Sequence, residues 1–213
     1  MDTKQLDEFI FSVLTQFLEA KSLLDVPRER EALSEFCIHG GRKAASQSAF
    51  RLAADLFRFG IELLGNNPWR TQYSKTLQLH NALIEMLLCT SNIKEMNQLI
   101  DIVFFRAKSP LARVQATIAR MCALGSRGSQ LEAIDIGTAT LESLNERFPC
   151  KNDCRSTMMR EIKKVGKKLN SMTDDEILSL PQMTDETKLG AVGILHEMYT
   201  LAVFTREKFA PFV

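Results

Sequence analysis

The chain has 213 residues, a formal net charge of +1, 45% apolar residues and 25% charged residues. A chain of this length and composition can bury a core, which argues against an intrinsically disordered protein. The near-zero net charge provides no overall field that would attract nucleic acid or an anionic membrane. No stretch approaches the roughly 20 consecutive apolar residues of a membrane-spanning helix.

Five cysteines, an odd number without regular spacing, indicate free thiols in a reducing compartment rather than a disulfide framework. They are Cys37, Cys89, Cys122, Cys150 and Cys154. The N-terminal residues do not form a signal peptide, because Asp2, Asp7 and Glu8 are acidic where a basic segment is needed. We therefore expect a cytoplasmic location.

Apolar residues recur at helical spacing in nearly every segment. Leu6, Phe9 and Val13 follow an i, i+3, i+7 spacing. A second stripe follows an i, i+4, i+7 spacing and consists of Phe57, Ile61 and Leu64. Such repeats indicate amphipathic helices, whereas no segment alternates with the period of two that strands require. The sequence therefore predicts an all-α protein.

Capping residues mark where several helices begin. Asn67-Pro68 and Ser109-Pro110 both have the pattern of an N-cap followed by proline at the first helical position. Thr173 and Glu176 have the spacing of a capping box. The predicted helices form antiparallel pairs, namely 44–64 with 68–89, 93–107 with 110–124, and 129–148 with a following helix.

The spacing of these pairs indicates a degenerate repeat. The second and third pairs begin 36 residues apart, near the 34-residue tetratricopeptide period, whereas the first and second begin 49 apart. The sequence predicts an α-solenoid of tetratricopeptide-like antiparallel helix pairs, in a single helical-repeat domain over residues 1–213. Its predicted parts are N-terminal helices in 1–40, repeat pairs in 41–150 and C-terminal helices in 151–213.

A series of short motifs occurs in a characteristic order. It includes Gly41-Arg42-Lys43-Ala44, Gly60-Ile61-Glu62-Leu63-Leu64-Gly65, Ser109-Pro110-Leu111, Ala133-Ile134-Asp135-Ile136-Gly137 and Leu178-Ser179-Leu180-Pro181. This order resembles the tetratricopeptide-like region of large signalling proteins that also carry a serine/threonine kinase domain, an AAA-type predicted ATPase, a GAF domain and a histidine kinase. The resemblance covers about residues 25–210 and implies only the helical region, since the G-x-x-x-x-G-K-[ST] loop and the kinase signatures are absent from the chain.

The histidines and cysteines do not form a catalytic or metal-binding motif. His39, His80 and His196 include no pair with H-E-x-x-H spacing, and His80 lies in an apolar stripe, as a packed histidine does. Cys150 and Cys154 are four residues apart but lack two further metal ligands at suitable spacing. We interpret these two cysteines as unpaired thiols.

Gly40-Gly41-Arg42-Lys43 does not follow a strand and has no hydroxyl residue after the lysine, so we interpret it as a helix–helix turn and not as a phosphate-binding loop. Trp69 follows the helix start at Pro68 and is interpreted as an anchor between adjacent repeats. We predict no catalytic residue, no metal and no cofactor.

Residues 151–168 are predicted to form a basic helix, in which Ile162, Val165 and Leu169 face the side opposite to the lysines. A basic amphipathic helix suits an acidic protein partner, anionic lipid or nucleic acid. No aromatic residue is interleaved to stack on bases, and a solvated charged face is the simplest interpretation. The candidate contact residues are Arg160, Lys163, Lys164, Lys167 and Lys168.

The sequence thus predicts a non-catalytic helical-repeat module for protein interaction or regulation in signal transduction. Two alternatives stay open. One is an accessory subunit of an AAA-type ATPase or kinase signalling complex, and the other is nucleic-acid binding through residues 151–168. We expect a protein partner, which the sequence does not identify.

Overall fold

The structure is a computed structural model that describes residues 27–146 and 154–205. These residues form helices and connecting loops without any strand, so the predicted all-α class is confirmed. The chain divides into two compact units, Met1–Ala107 and Lys108–Val213, each described by itself below. The solenoid arrangement and the single domain over 1–213 stay predictions, and the predicted stripe at Leu6–Val13 lies outside the described residues.

The first unit packs its helices in order along the chain. The helices are α1 (Pro27–Ser46), α2 (Phe50–Leu63), the short α3 (Pro68–Thr71), α4 (Tyr73–Cys89) and α5 (Ile93–Arg106). α1 packs on α2, α2 on α4, and α4 on α5. Leu56, Leu79 and Ile100 are fully buried where these helices meet. The stripes at helical spacing thus form a continuous apolar core in this unit.

The second unit is built around three helices. A 3-10 turn at Leu111–Arg113 precedes α6 (Val114–Ser126), α7 (Gln130–Ser143), α8 (Cys154–Asn170), α9 (Asp174–Leu178) and α10 (Glu186–Thr205). α6, α7 and α10 pack against one another, and their core includes Met121, Leu141, Ile194 and Met198. α8 and α9 lie outside these packed pairs.

Three of the helix pairs are joined by turns of the same length and geometry. The turns are Gln47–Ala49, Thr90–Asn92 and Arg127–Ser129. Their central residues, Ser48, Ser91 and Gly128, have left-handed φ values of 61°, 57° and 84°. In the second turn Ser91 N–H donates to Leu88 O and Asn92 N–H donates to Leu87 O, which is the Schellman arrangement. Each turn therefore reverses the chain into an antiparallel helix hairpin.

The helix start predicted at Thr173 is confirmed, and the one predicted at Ser109-Pro110 is found in part, because a 3-10 turn at Leu111–Arg113 precedes α6. Ser109 Oγ accepts the backbone N–H of Ala112 at 3.2 Å. In the capping box the Thr173 N–H donates to Glu176 Oε2 at 2.8 Å, and the Glu176 N–H donates to Thr173 Oγ1 at 3.3 Å. The helix predicted to begin at Pro68 with Asn67 as its N-cap residue does begin there, although Asn67 is left-handed at φ 53° and its side chain makes no cap hydrogen bond.

Two predicted helices are interrupted in the structure. The helix expected over 44–64 is the end of α1 and all of α2, separated by the turn at 47–49. The helix expected over 68–89 is divided at Gln72, whose extended φ of −137° separates α3 from α4.

The turn predicted at Gly40–Lys43 is also wrong, because these residues lie inside α1. Gly41 is buried, and a Cβ placed there would lie 2.7 Å from Cζ of Phe57 in α2. Gly60 of α2 has the same role, since its added Cβ would lie 3.2 Å from Cβ of Cys37. These glycines allow α1 and α2 to approach closely, and this tertiary constraint outweighs the roughly 1 kcal/mol cost of each glycine in a helix.

We expect Gly41→Ala to lower the free energy of unfolding by about 1–3 kcal/mol, because the Phe57 ring must shift to accommodate the methyl group. Urea unfolding followed by circular dichroism measures the change. The matched control is Gly166→Ala in α8, where no atom lies within 4 Å of the added Cβ. A Gly41→Ala variant as stable as this control would contradict the close packing of α1 on α2.

Candidate interaction surface

His80 is a packed core residue, as its place in the apolar stripe predicted. It is 5% exposed, and its Nδ1 lies 2.7 Å from the carbonyl oxygen of Thr76. The indole ring of Trp69 lies on its other side, with ring centroids 4.8 Å apart. Burial lowers the pKa of His80, and the hydrogen bond to Thr76 opposes that effect only in part. His80 is therefore held neutral by its surroundings, while His39 and His196 are exposed.

The thiols of the described cysteines are poor nucleophiles. Burial raises the pKa of Cys37 to about 12. Burial, together with the neighbouring Glu197 carboxylate 3.3 Å from its Sγ, raises the pKa of Cys122 to about 12. The pKa of the exposed Cys89 is also raised, mainly by partial burial of its thiol. These thiols stay protonated near neutral pH, and the protonated form is unreactive.

The side chains of Cys150 and Cys154, interpreted above as unpaired thiols, lie outside the described part of the structure. Among the residues that are described, His, Cys, Asp and Glu form no group of three that could hold a metal ion. Within the same residues, no helix has the length and apolarity needed to cross a membrane.

α8 carries the five predicted contact residues and brings them together on one helix. All five are exposed, and they are Arg160, Lys163, Lys164, Lys167 and Lys168. Arg160 and Lys164 share the carboxylate of Glu161, each at 3.6 Å, so Glu161 neutralises only a small part of the basic face. The helix is therefore a concentrated positive surface.

The apolar side of α8 is exposed as well. Ile162, Val165 and Leu169 are 56%, 54% and 46% exposed, at the spacing predicted for one helix face. A solvated charged face, the simplest interpretation from sequence, explains the lysines but leaves these apolar side chains unexplained. An amphipathic helix normally buries its apolar face, so α8 has the surface of a helix that lacks its partner.

A second exposed apolar surface lies on α10. Its inner face, with Ala191, Ile194 and Met198, is buried against α6 and α7. The outer face, which we call the α10 stripe, is between 47% and 57% exposed. It consists of Leu189, Val192, Tyr199 and Val203, with the exposed His196 between them.

The α10 stripe follows the spacing of a coiled-coil seam. Positions 189, 192, 196, 199 and 203 alternate steps of three and four residues, as the a and d positions of a heptad do. A helix that is apolar all round is normally buried all round. α10 is covered on one side only, so this stripe is the second candidate docking surface of the second unit.

The α10 stripe was not predicted from the sequence, although its spacing is present there. The steps of three and four from Leu189 to Val203 are visible in the sequence. They were not distinctive, because the opposite face of the same helix is equally apolar. Which of two apolar faces is covered depends on the packing of α6 and α7, and a single helical segment does not contain that information.

Comparison of the chain with protein-family models, with curated proteins and with solved structures finds no match.

We expect the free energy of unfolding to fall as the pH decreases through about 6.5, the ordinary histidine pKa. Because burial lowers the pKa of His80, the unfolded chain binds a proton more readily than the folded chain does. The contribution of His80 to the free energy of unfolding is fully present above about pH 6.5. It is lost progressively as the pH falls towards the lowered pKa of His80 in the folded chain.

Urea titrations at about pH 7.5 and about pH 5.5 test this dependence. A single titrating group changes the free energy of unfolding by at most about 1.4 kcal/mol per pH unit. His80→Gln is expected to lose less stability on acidification than the wild-type chain. His39→Gln is the control at an exposed histidine of the same unit. Equal pH dependence in the wild-type chain and in His80→Gln would contradict the role assigned to His80.

Proposed function

We propose that this chain is a non-catalytic helical-repeat module that binds other proteins and acts as an interaction or regulatory element in signal transduction. The observation that carries the proposal is the α10 stripe, a coiled-coil-like apolar seam left open on a helix whose other face is buried. A solvent-exposed apolar seam of this kind is a docking surface for a protein.

The partner expected at the α10 stripe is an amphipathic helix. Its own apolar residues would follow the same alternation of three and four, since such helices interlock side chain by side chain. Lys188 flanks the start of the stripe, whereas its middle is flanked by the uncharged Gly193 and Leu195, which are half-buried towards the core. Affinity at this surface is therefore expected to come from apolar burial, with little dependence on salt.

The tetratricopeptide-like solenoid is part of the same proposal. Three helix hairpins with three-residue Schellman turns support it, because helical-repeat proteins are built from such pairs. The turns begin at Gln47, Thr90 and Arg127, at intervals of 43 and 37 residues, which agrees with a degenerate repeat. The setting in signalling follows from the sequence resemblance, and a cytoplasmic location from the irregularly spaced cysteines.

Binding at the α10 stripe is tested with a display library of amphipathic helical peptides. The wild-type chain is expected to select peptides whose apolar residues repeat at steps of three and four. The double variant Val192→Glu and Tyr199→Glu should bind the selected peptides at least about tenfold more weakly, because each substitution places a charge in the apolar seam.

The matched control carries Gln115→Glu and Ser143→Glu, which add the same charge at exposed positions of the same unit. It should bind like the wild-type chain. If the wild-type chain selects no helical peptide, or if the stripe variant binds as tightly as the control, the α10 stripe is not a docking surface. Hydrolysis of ATP by the purified chain, above a buffer blank and with stoichiometric nucleotide binding, would contradict the non-catalytic assignment.

A further inference from the structure

The basic helix α8 and the segment that follows it have opposite charges. α8 contains six lysines or arginines and one glutamate. The next sixteen residues, Ser171–Glu186, contain five acidic residues and no lysine or arginine. The arm, which we define as Cys154–Glu186, is therefore neutral as a whole but divided into a positive half and a negative half of equal charge.

Both halves of the arm also expose apolar side chains. Ile162, Val165 and Leu169 are exposed in the positive half. Leu178, Leu180 and Met183 are exposed in the negative half. On α8 the apolar groups and the basic residues lie on opposite faces and both are exposed, and the negative half exposes apolar groups and charges of the opposite sign.

These charges have few partners within the arm itself. Arg160 and Lys164 reach only Glu161, which lies on the same helix. Two of the acidic residues have local roles, since Glu176 completes the capping box and Asp185 accepts the N–H groups of Thr187 and Lys188. No ion pair links α8 to the acidic half among the described residues of the arm.

We propose that the arm binds the arm of a second copy of this chain in an antiparallel pair. α8 of each copy lies against Ser171–Glu186 of the other. A two-fold axis relates the two copies. Under this symmetry the contact between α8 of one copy and Ser171–Glu186 of the other is made twice, so both halves of each arm have a partner. The pairing also offers exposed apolar side chains of each half apolar neighbours from the other copy, which the single chain does not provide.

The opposite charges within the arm argue against a nucleic acid or an anionic membrane as its ligand. Either would be attracted by α8 and repelled by the five carboxylates that directly follow it. A second arm is the occupant that offers each half a net charge of the opposite sign. This inference rests on the proposed function only in that both concern binding to a protein. The arm is a surface separate from the α10 stripe.

Charge reversal in the full-length chain tests the pairing by sedimentation velocity. The first variant reverses the positive half with Lys163→Glu, Lys164→Glu, Lys167→Glu and Lys168→Glu. The second variant reverses the negative half with Asp174→Lys, Asp175→Lys and Glu186→Lys. It leaves Glu176 and Asp185 unchanged, because they accept backbone N–H groups in their own segment. We expect the wild-type chain to dimerise reversibly and each variant alone to associate at least about tenfold more weakly.

An equimolar mixture of the two variants is expected to restore the dimer, since each reversed half then faces a complementary half. A merely structural role of these residues would not produce this rescue. The control variant carries Arg42→Glu, Arg51→Glu, Arg70→Glu and Lys94→Glu, exposed positions of the first unit that change the net charge as the first variant does. It should dimerise like the wild-type chain, and circular dichroism verifies that all variants are helical.

Sedimentation velocity is measured at several protein concentrations. A wild-type chain that is monomeric at all of them would overturn the proposal, and so would an equimolar mixture of the two charge-reversed variants that stays monomeric. The salt dependence of the wild-type chain is a second readout that needs no variant. The dimer should weaken between about 0.05 and about 0.5 M NaCl, because the charge pairs are screened.

Two further measurements separate this inference from its alternatives. If α8 binds random duplex DNA or anionic vesicles while the chain stays monomeric, the ligand is a polyanion and the pairing is wrong. If the arm fails to pair but the α10 stripe selects helical peptides, the proposed function stands without this inference.

Discussion

The burial of apolar helix faces is the constraint on which this structure depends. A helix in water is marginally stable by itself, and most of its stability comes from packing one face against another element. In the first unit this requirement is met by a continuous core, in which residues such as Leu56, Leu79 and Ile100 are inaccessible to solvent. In the second unit α6, α7 and the inner face of α10 satisfy it in the same way. The glycines at positions 41 and 60 serve the same constraint by letting α1 and α2 approach closely.

The same constraint is unmet in two places, and both candidate surfaces follow from this. α8 exposes its apolar face together with its basic face, and α10 exposes an apolar seam opposite its buried face. Exposed apolar area of this kind carries a free-energy cost of about 25 cal/mol per Å² that association with a protein recovers. The two surfaces differ in character, because α8 carries five exposed basic residues and the α10 stripe has few charges beside it. If both proposals hold, the contact of the arm weakens with salt and the contact of the α10 stripe depends on salt less.

The fold class and most helix positions could be predicted from sequence, because apolar periodicity and local capping chemistry determine them. The Thr173–Glu176 capping box is an example, since all its contacts lie within four residues. Tertiary packing determined what could not be predicted. Gly41 has the sequence features of a turn, but it lies inside α1, where it packs closely against Phe57, sixteen positions later in the chain. The basic residues of α8 were found from composition alone, whereas the exposure of its apolar side and the open stripe of α10 depend on which neighbours each helix has.

Hydrogen exchange measured by mass spectrometry tests most directly whether α8 lacks a partner within its own chain. In a dilute sample, the amides of residues 159–170 are expected to exchange nearly as fast as those of an isolated helix, because no packed neighbour protects them. The amides of Leu79–Leu87 in α4 should exchange only through global unfolding, since that helix is buried in the core. Equal protection of α8 and α4 at high dilution would show that the chain covers α8 itself, and would contradict the claim that this helix is open to a second molecule.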